Sequence, residues 1–267
     1  MTDTRQLVEA LYHPEERRRE EAVAGLRAAG AAALEPLIAV LSRQFVWPRP
    51  RRVTGLLGLG PNPAELEREA RRRAAGLLGE LDDPRAADAL LAATRDPEEL
   101  VRHSAALALG KRPEARAVEP LLEALGSFNA DIRADAAEAL GRQGDRRAVD
   151  ALIRVMQVDG QPGPRWMAMR ALGQLGDRRA VQPILHVMEA LLTLPAVDWA
   201  PPNRHGYEDD EPVQVVWTTC TTALEVLEKL GDPAALPAIE RLASEAPARS
   251  IATRAARTAE RLRQKTG

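Results

Sequence analysis

The sequence predicts an all-α fold of solenoid type, a right-handed superhelix of about seven stacked helical pairs, and three observations predict it. First, an Arg-Ala-(Val or Ala) start recurs at Arg85, Arg116, Arg147 and Arg179, at spacings of 31, 31 and 32 residues. Second, each interval holds two short segments with apolar residues at helical spacing. In the unit from Arg116 these are Val118, Leu121, Leu122 and Leu125, then Ile132, Ala136, Ala137 and Leu140. Third, the units are punctuated by Gly144-Asp145, Gly176-Asp177 and Gly231-Asp232, where Gly can end one helix and Asp can cap the next. Two helices of about 10–13 residues with two short turns fill such a period. Neither helix could bury its apolar stripe alone, so neighbouring pairs must stack. No alternating run of Val, Ile and Thr marks a strand.

Taken in order, Arg5 to Ala29 forms a first pair with a turn at His13-Pro14. Ala33 to Leu41 repeats the pattern of Ala117 to Leu125, and Glu65 to Gly79 supplies the matching second helix. The units from Arg85, Arg116 and Arg147 follow, then a first helix from Arg179 whose partner contains Cys220. Pro233 to Ala243 and Pro247 to Arg263 close the series, so that residues 1–267 read as one array.

Composition agrees with a folded protein of the cytoplasm. The 267 residues are 45% hydrophobic, 28% charged and 3% aromatic, with a net charge of −2, which excludes wholesale disorder and argues against a whole-surface nucleic-acid binder. The lone Cys220 cannot form an internal disulfide, and uncharged runs such as Pro212 to Leu224 fall short of a membrane span. No secretory leader is evident at the N-terminus.

The second helices carry a signature of the form D-x5-R-x2-A-A-x2-L-G. It is complete in Asp96, Arg102, Ala105, Ala106, Leu109 and Gly110. Arg133 to Gly141 match with Ser127 in place of the Asp, and Asp159, Arg165, Ala168, Leu172 and Gly173 match with Met169 at the second Ala. Arg71, Ala74, Ala75, Leu78 and Gly79 also fit, Arg19 with Ala22 and Leu26 more loosely, and the ladder stops at Cys220 and Ala252. In this signature the chain resembles HEAT repeats of the phycobilisome-lyase type. That resemblance implies a structural ladder between successive repeats, here Arg19, Arg71, Asp96, Arg102, Arg133, Asp159 and Arg165, with the Ala pair allowing close helix approach. It does not carry function with it. The similar iron-dependent deoxyhypusine hydroxylases bear their metal on His-Glu dipeptides, whereas the four histidines here precede Pro14, Ser104, Val187 and Gly206. No metal ligand set and no cofactor site is therefore expected.

The period breaks twice. From Ala32 to Arg85 is 53 residues and from Arg179 to Ala234 is 55, which places inserted segments at 43–63 and 193–213, each between the two helices of a repeat. Both should leave the same edge of the array, a placement that often serves binding. They hold Phe45, Trp47, Trp199 and Tyr207, half of the chain's aromatic residues, with Trp217 just beyond. Their charges oppose: Arg43, Arg49, Arg51 and Arg52 give the first +4, and the second sums to −4. The functional reading makes them two jaws over the surface between them; the bland one makes them solvated loops with their aromatics tucked onto helices.

Second helices usually line the inner surface of such an array, and positions one, five and nine after the ladder Arg share one stripe. These are Arg72, Gly76 and Glu80; His103, Leu107 and Lys111; Ala134, Glu138 and Arg142; Trp166, Arg170 and Gln174. The mixed charge suits a protein partner better than a phosphate backbone. The expected partner-binding set is Trp47, Arg49, Arg51, Arg52, Arg72, His103, Glu138, Trp166, Arg170, Trp199, Tyr207 and Trp217. No catalytic constellation appears: the Gly55, Gly58, Gly60 run lacks a P-loop Lys, the acids beside His205 match no metal spacing, and Cys220 has no adjacent base. The sequence thus reads as a non-catalytic protein-binding scaffold, a monomer or weak oligomer. One alternative is an enzyme subunit or chaperone similar to the bilin lyases, and another is nucleic-acid binding through Arg49, Arg51, Arg52 and Arg71 to Arg73.

Overall fold

A computed structural model describes residues 3–46, 62–111, 114–193 and 212–266. Among these residues the chain forms α-helices and short 3-10 turns and no strand, divided into two compact units, residues 1–124 and 125–267. The first unit contains α1 (Thr4–Ala10), α2 (Glu16–Ala29), α3 (Leu34–Leu41), α4 (Pro63–Leu78), α5 (Pro84–Ala93), α6 (Glu99–Leu109) and α7 (Val118–Ala124). The second contains α8 (Ala130–Gln143), α9 (Val149–Val158), α10 (Pro162–Leu175), α11 (Val181–Leu192), α12 (Pro212–Leu230), α13 (Leu236–Glu245) and α14 (Arg249–Thr266). These are the seven helical pairs that the period predicts, in an α-solenoid architecture. The division between units falls in the turn around Ser127, the position where the ladder Asp is replaced.

The punctuation acts as the residue types require. Gly144, Gly176 and Gly231 end α8, α10 and α12 at φ 72°, 64° and 64°, the left-handed region that Gly enters without a Cβ penalty. Two residues before each repeat start stands an acid, Asp83, Glu114, Asp145, Asp177 or Asp232, whose carboxylate accepts the backbone N–H of Arg85, Arg116, Arg147, Arg179 or Ala234 at 2.9–3.1 Å. At the second-helix starts, Asn62 and Asn129 cap α4 and α8. Glu16–Leu41 is long and apolar enough by composition to cross a membrane, but the 3-10 turn Gly30–Ala33, entered with Gly30 at φ 55°, breaks it into α2 and α3. Helix α2 also exposes Arg17, Glu20 and Glu21.

Second helices of successive repeats pack against one another: α4 with α6 in the first unit, and α8 with α10, α10 with α12, and α12 with α14 in the second. The terminal Gly of the repeat signature sits at these contacts. A Cβ on Gly79 would lie 2.8 Å from Ala108 Cβ, on Gly141 2.9 Å from Ala171 Cα, and on Gly173 3.0 Å from Val226 Cγ2. The role of that Gly is close approach, distinct from the helix-ending glycines. Leu26, Leu37 and Leu78 are fully buried in the first unit, as are Leu140, Leu152, Met156, Leu172 and Ile184 in the second.

Candidate functional site

The ladder arginines show what holds the repeats together. In the first unit buried Arg71 pairs with the nearly buried Asp96 of the next repeat. In the second unit Arg133 pairs with Asp159 through two bonds, Nε to Oδ2 at 2.7 Å and Nη2 to Oδ1 at 2.8 Å. The remaining Nη1 of Arg133 donates to the carbonyls of Ser127 (2.8 Å) and Phe128 (3.1 Å), in the turn before its own helix. Arg102 does the same with Asp96 and Pro97 (2.9 and 3.1 Å), and Arg19 with His13 and Pro14 (2.7 and 2.9 Å). A ladder Arg therefore closes its own turn as well as reaching its neighbour, a duty that sequence reasoning missed. Arg71 lacks it because the residues six and five places earlier, Glu65 and Leu66, already lie inside α4.

Three expected rungs take another form. Arg19 pairs with Glu16 of its own helix, Arg102 faces Glu123 at 3.6 Å, and Arg165 donates to the Met156 carbonyl at 3.0 Å. The physical reason is the missing acid: Gln44, Ser127 and Leu191 stand where an Asp would be, 25 or 26 residues further on.

A second ladder was hidden in the repeat anchors themselves. Arg85 bonds Glu35 (2.8 Å), Arg116 bonds Asp88 (2.9 Å) and Arg179 bonds Asp150 (3.0 Å), each reaching the first helix of the preceding repeat. The capping acid beside each Arg binds the same guanidinium, and this side-chain bond holds the carboxyls of Asp83, Glu114, Asp145 and Asp177 below the usual carboxylate range. The pairs that cross between repeats are exposed, so they set register more than they add stability.

On the second-helix stripe, Arg72, Glu138 and Arg170 are exposed as expected. His103 is not: its side chain is 5% exposed, with Glu99 Oε1 3.7 Å from Nδ1, and burial lowers its pKa. It therefore offers almost no surface to a partner, a correction to the sequence reading that follows from packing on the flank of α6. Trp166 is half-buried and donates from Nε1 to Thr219 Oγ1 at 2.9 Å, tying α10 to α12. Trp217 is half-buried too, with its Nε1 in contact with no acceptor among the described residues. Trp47, Arg49, Arg51, Arg52, Trp199 and Tyr207 lie outside the described residues.

The first insertion is described only at its ends. Arg43 turns at φ 61°, which lets Gln44 and Phe45 N–H both reach the Ala39 carbonyl at 2.9 Å. Phe45 then stacks on Tyr12, centroids 5.8 Å apart, and Tyr12's phenol is pushed up to about 12, by burial first and by Glu67 second. Arg43 comes within 3.6 Å of Asp96, beside Arg71, and so joins the ladder. Phe45 is thus packed against the fold, while Arg43 is held by an acid of the ladder.

Among the described residues, no group of three or more His, Cys, Asp or Glu side chains is placed to hold a metal ion. Cys220 is buried, and burial pushes its thiol up to about 12.

The stacked pairs and their ladders define a helical-repeat protein of the α-solenoid class. Residues 64–139 and 118–190 match the family model of HEAT repeats, and the chain is a HEAT-repeat protein. No curated protein matches it. Among solved structures it is similar to importin beta, with 14% identity and a TM-score of 0.60 over 98% of this chain and 35% of that one. It is also similar to the complex of CpcE and CpcF of phycocyanin lyase from Nostoc sp. PCC7120 (21% identity, TM-score 0.48, 99% and 94% covered). Human deoxyhypusine hydroxylase in complex with glycerol follows at 19% identity and TM-score 0.40, with 98% and 97% covered.

Proposed function

We propose that this chain is a soluble, cytoplasmic, non-catalytic scaffold that binds a protein partner through its second-helix face and its two inserted segments, with residues 1–267 acting as one array. One observation carries the reading. The repeat-anchor arginines Arg85, Arg116 and Arg179 are engaged in ion pairs within the fold. On the second-helix face of the second unit, Asp131, Asp135, Arg170 and Arg257 are exposed and make no ion pair among the described residues. Charges that do not hold the fold together are available to a ligand, and a HEAT-repeat fold presents them in evenly spaced rows.

The inserted segments add aromatic anchors of the kind that dominate interfaces. The test is affinity recovery of partners by the intact chain and by a chain in which 43–63 and 193–213 are each replaced by a short Gly-Ser turn. The deletion should keep the helical circular dichroism and lose the partner. Undiminished recovery would remove the insertions from the binding site.

A further inference from the structure

The second-helix face of the second unit changes sign from one end of the stack to the other. The register of Arg133, Arg165, Cys220 and Ala252 aligns exposed stripes on α8, α10, α12 and α14, which pack in that order. At one end α8 presents Asp131 and Asp135, which make no ion pair among the described residues, with Glu138 paired to Arg142 at 2.8 Å. The Asp135 carboxyl is raised, by burial first and then by Glu138 and Asp131, so these acids repel one another and a cation brought near would relieve them. At the other end α12 and α14 enclose a groove of about 560 Å³ lined by five cations and two acids. Glu225 and Glu228 are taken up by Arg254 and Arg261. Lys229 and Arg257 are exposed and make no ion pair among the described residues. Between the two ends stand the half-buried Trp166 and Trp217.

We propose that this face seats an extended, charge-polarised peptide segment of a protein partner, its basic end over α8 and its carboxylates in the α12–α14 groove. The inference rests on the scaffold reading and gives its ligand a chemistry. Packed helices lie about 8–10 Å apart, so three steps from α8 to α14 span about 24–30 Å. An extended chain covers that in about seven to nine residues. A nucleic acid fits less well, because a uniform polyanion would be repelled by the α8 acids Asp131 and Asp135. Complementary charge at both ends fixes the direction of the peptide and rejects chains charged at one end only.

The experiment is fluorescence anisotropy on the full chain with labelled ten-residue peptides. One carries two lysines at one end, two glutamates at the other, and Gly, Ser and Leu between. Two more have either the lysines or the glutamates replaced by glutamine, and a fourth has lysines at both ends. The bipolar peptide should bind about tenfold more tightly than either glutamine peptide, and more weakly as salt rises. The double variant Lys229→Glu, Arg257→Glu breaks no internal pair; it should lose about tenfold for the bipolar peptide while gaining for the double-lysine one. Equal binding of all peptides, or no response to the double variant with circular dichroism unchanged, would overturn the proposal. Displacement of the bipolar peptide by duplex DNA at physiological salt would overturn it in favour of nucleic acid. Absence of any peptide binding, in a chain that still recovers a protein partner, would sink this inference and leave the scaffold reading standing.

Discussion

Arg133 and Asp159 form the best-defined rung of the ladder: two parallel bonds of 2.7 and 2.8 Å between a guanidinium and a carboxylate that are 15% and 6% exposed. The same guanidinium holds the Phe128 carbonyl, and the same carboxylate accepts the Gln161 N–H at 2.9 Å. One ion pair thus joins the turns of two adjacent repeats. Asp159→Asn keeps an acceptor for Gln161 and removes the charge, which leaves Arg133 half-satisfied in a largely buried place. Urea unfolding should show a loss of about 3 kcal/mol, with Asp159→Ala worse still because the bond from the Gln161 N–H goes too. Arg133→Lys should resemble Asp159→Asn, since an ammonium cannot make the fork.

The same pair has a pH signature. Arg133's hydrogen bonds hold the Asp159 carboxyl below its unfolded value, so its contribution is complete above the ordinary aspartate pKa of about 3.9 and is lost as pH falls through the depressed value. The stability gap between the wild-type chain and Asp159→Asn should therefore be constant near neutrality and close below about pH 4. A gap that widened on acidification would contradict the assignment.

Two helical glycines should respond oppositely to the same change. Gly76→Ala adds a Cβ that meets nothing within 4 Å and should stabilise by about 0.5–1 kcal/mol. Gly141→Ala forces a Cβ to within 2.9 Å of Ala171 Cα and should destabilise by about 1–3 kcal/mol despite better helix propensity. Thermal melts of the two variants decide between propensity and packing.

Cys220 should be silent in the native protein. A thiol pushed up to about 12 and fully buried has almost no thiolate at neutral pH. Thiol-reactive dye should label it only after denaturation, and rapid labelling of the folded chain would show that α12 opens locally.

The fold was legible because the period, the helical spacing and the Gly-Asp punctuation all repeat within one unit. The site was less so. The Arg85, Arg116 and Arg179 anchors were visible, but their partners lie 28 to 50 residues away and are chosen by stacking register, which a single chain does not display. The stripe rule placed His103 on the open face, yet one residue's shift around a helix carries a side chain from surface to core. Trp166 entered the binding set by its register, one residue after Arg165 on the same stripe; its bond to Thr219 gives part of it a structural task.

The scaffold account turns on whether the unpaired charges of the second-helix face bind a protein. Quantitative recovery from native lysate, comparing the intact chain with the surface variant Asp131→Lys, Asp135→Lys, Arg170→Glu, tests it most directly. The account predicts that recovery of the partner falls at least about tenfold while the melting temperature and helical circular dichroism are kept. Full recovery by the charge-inverted face would contradict it.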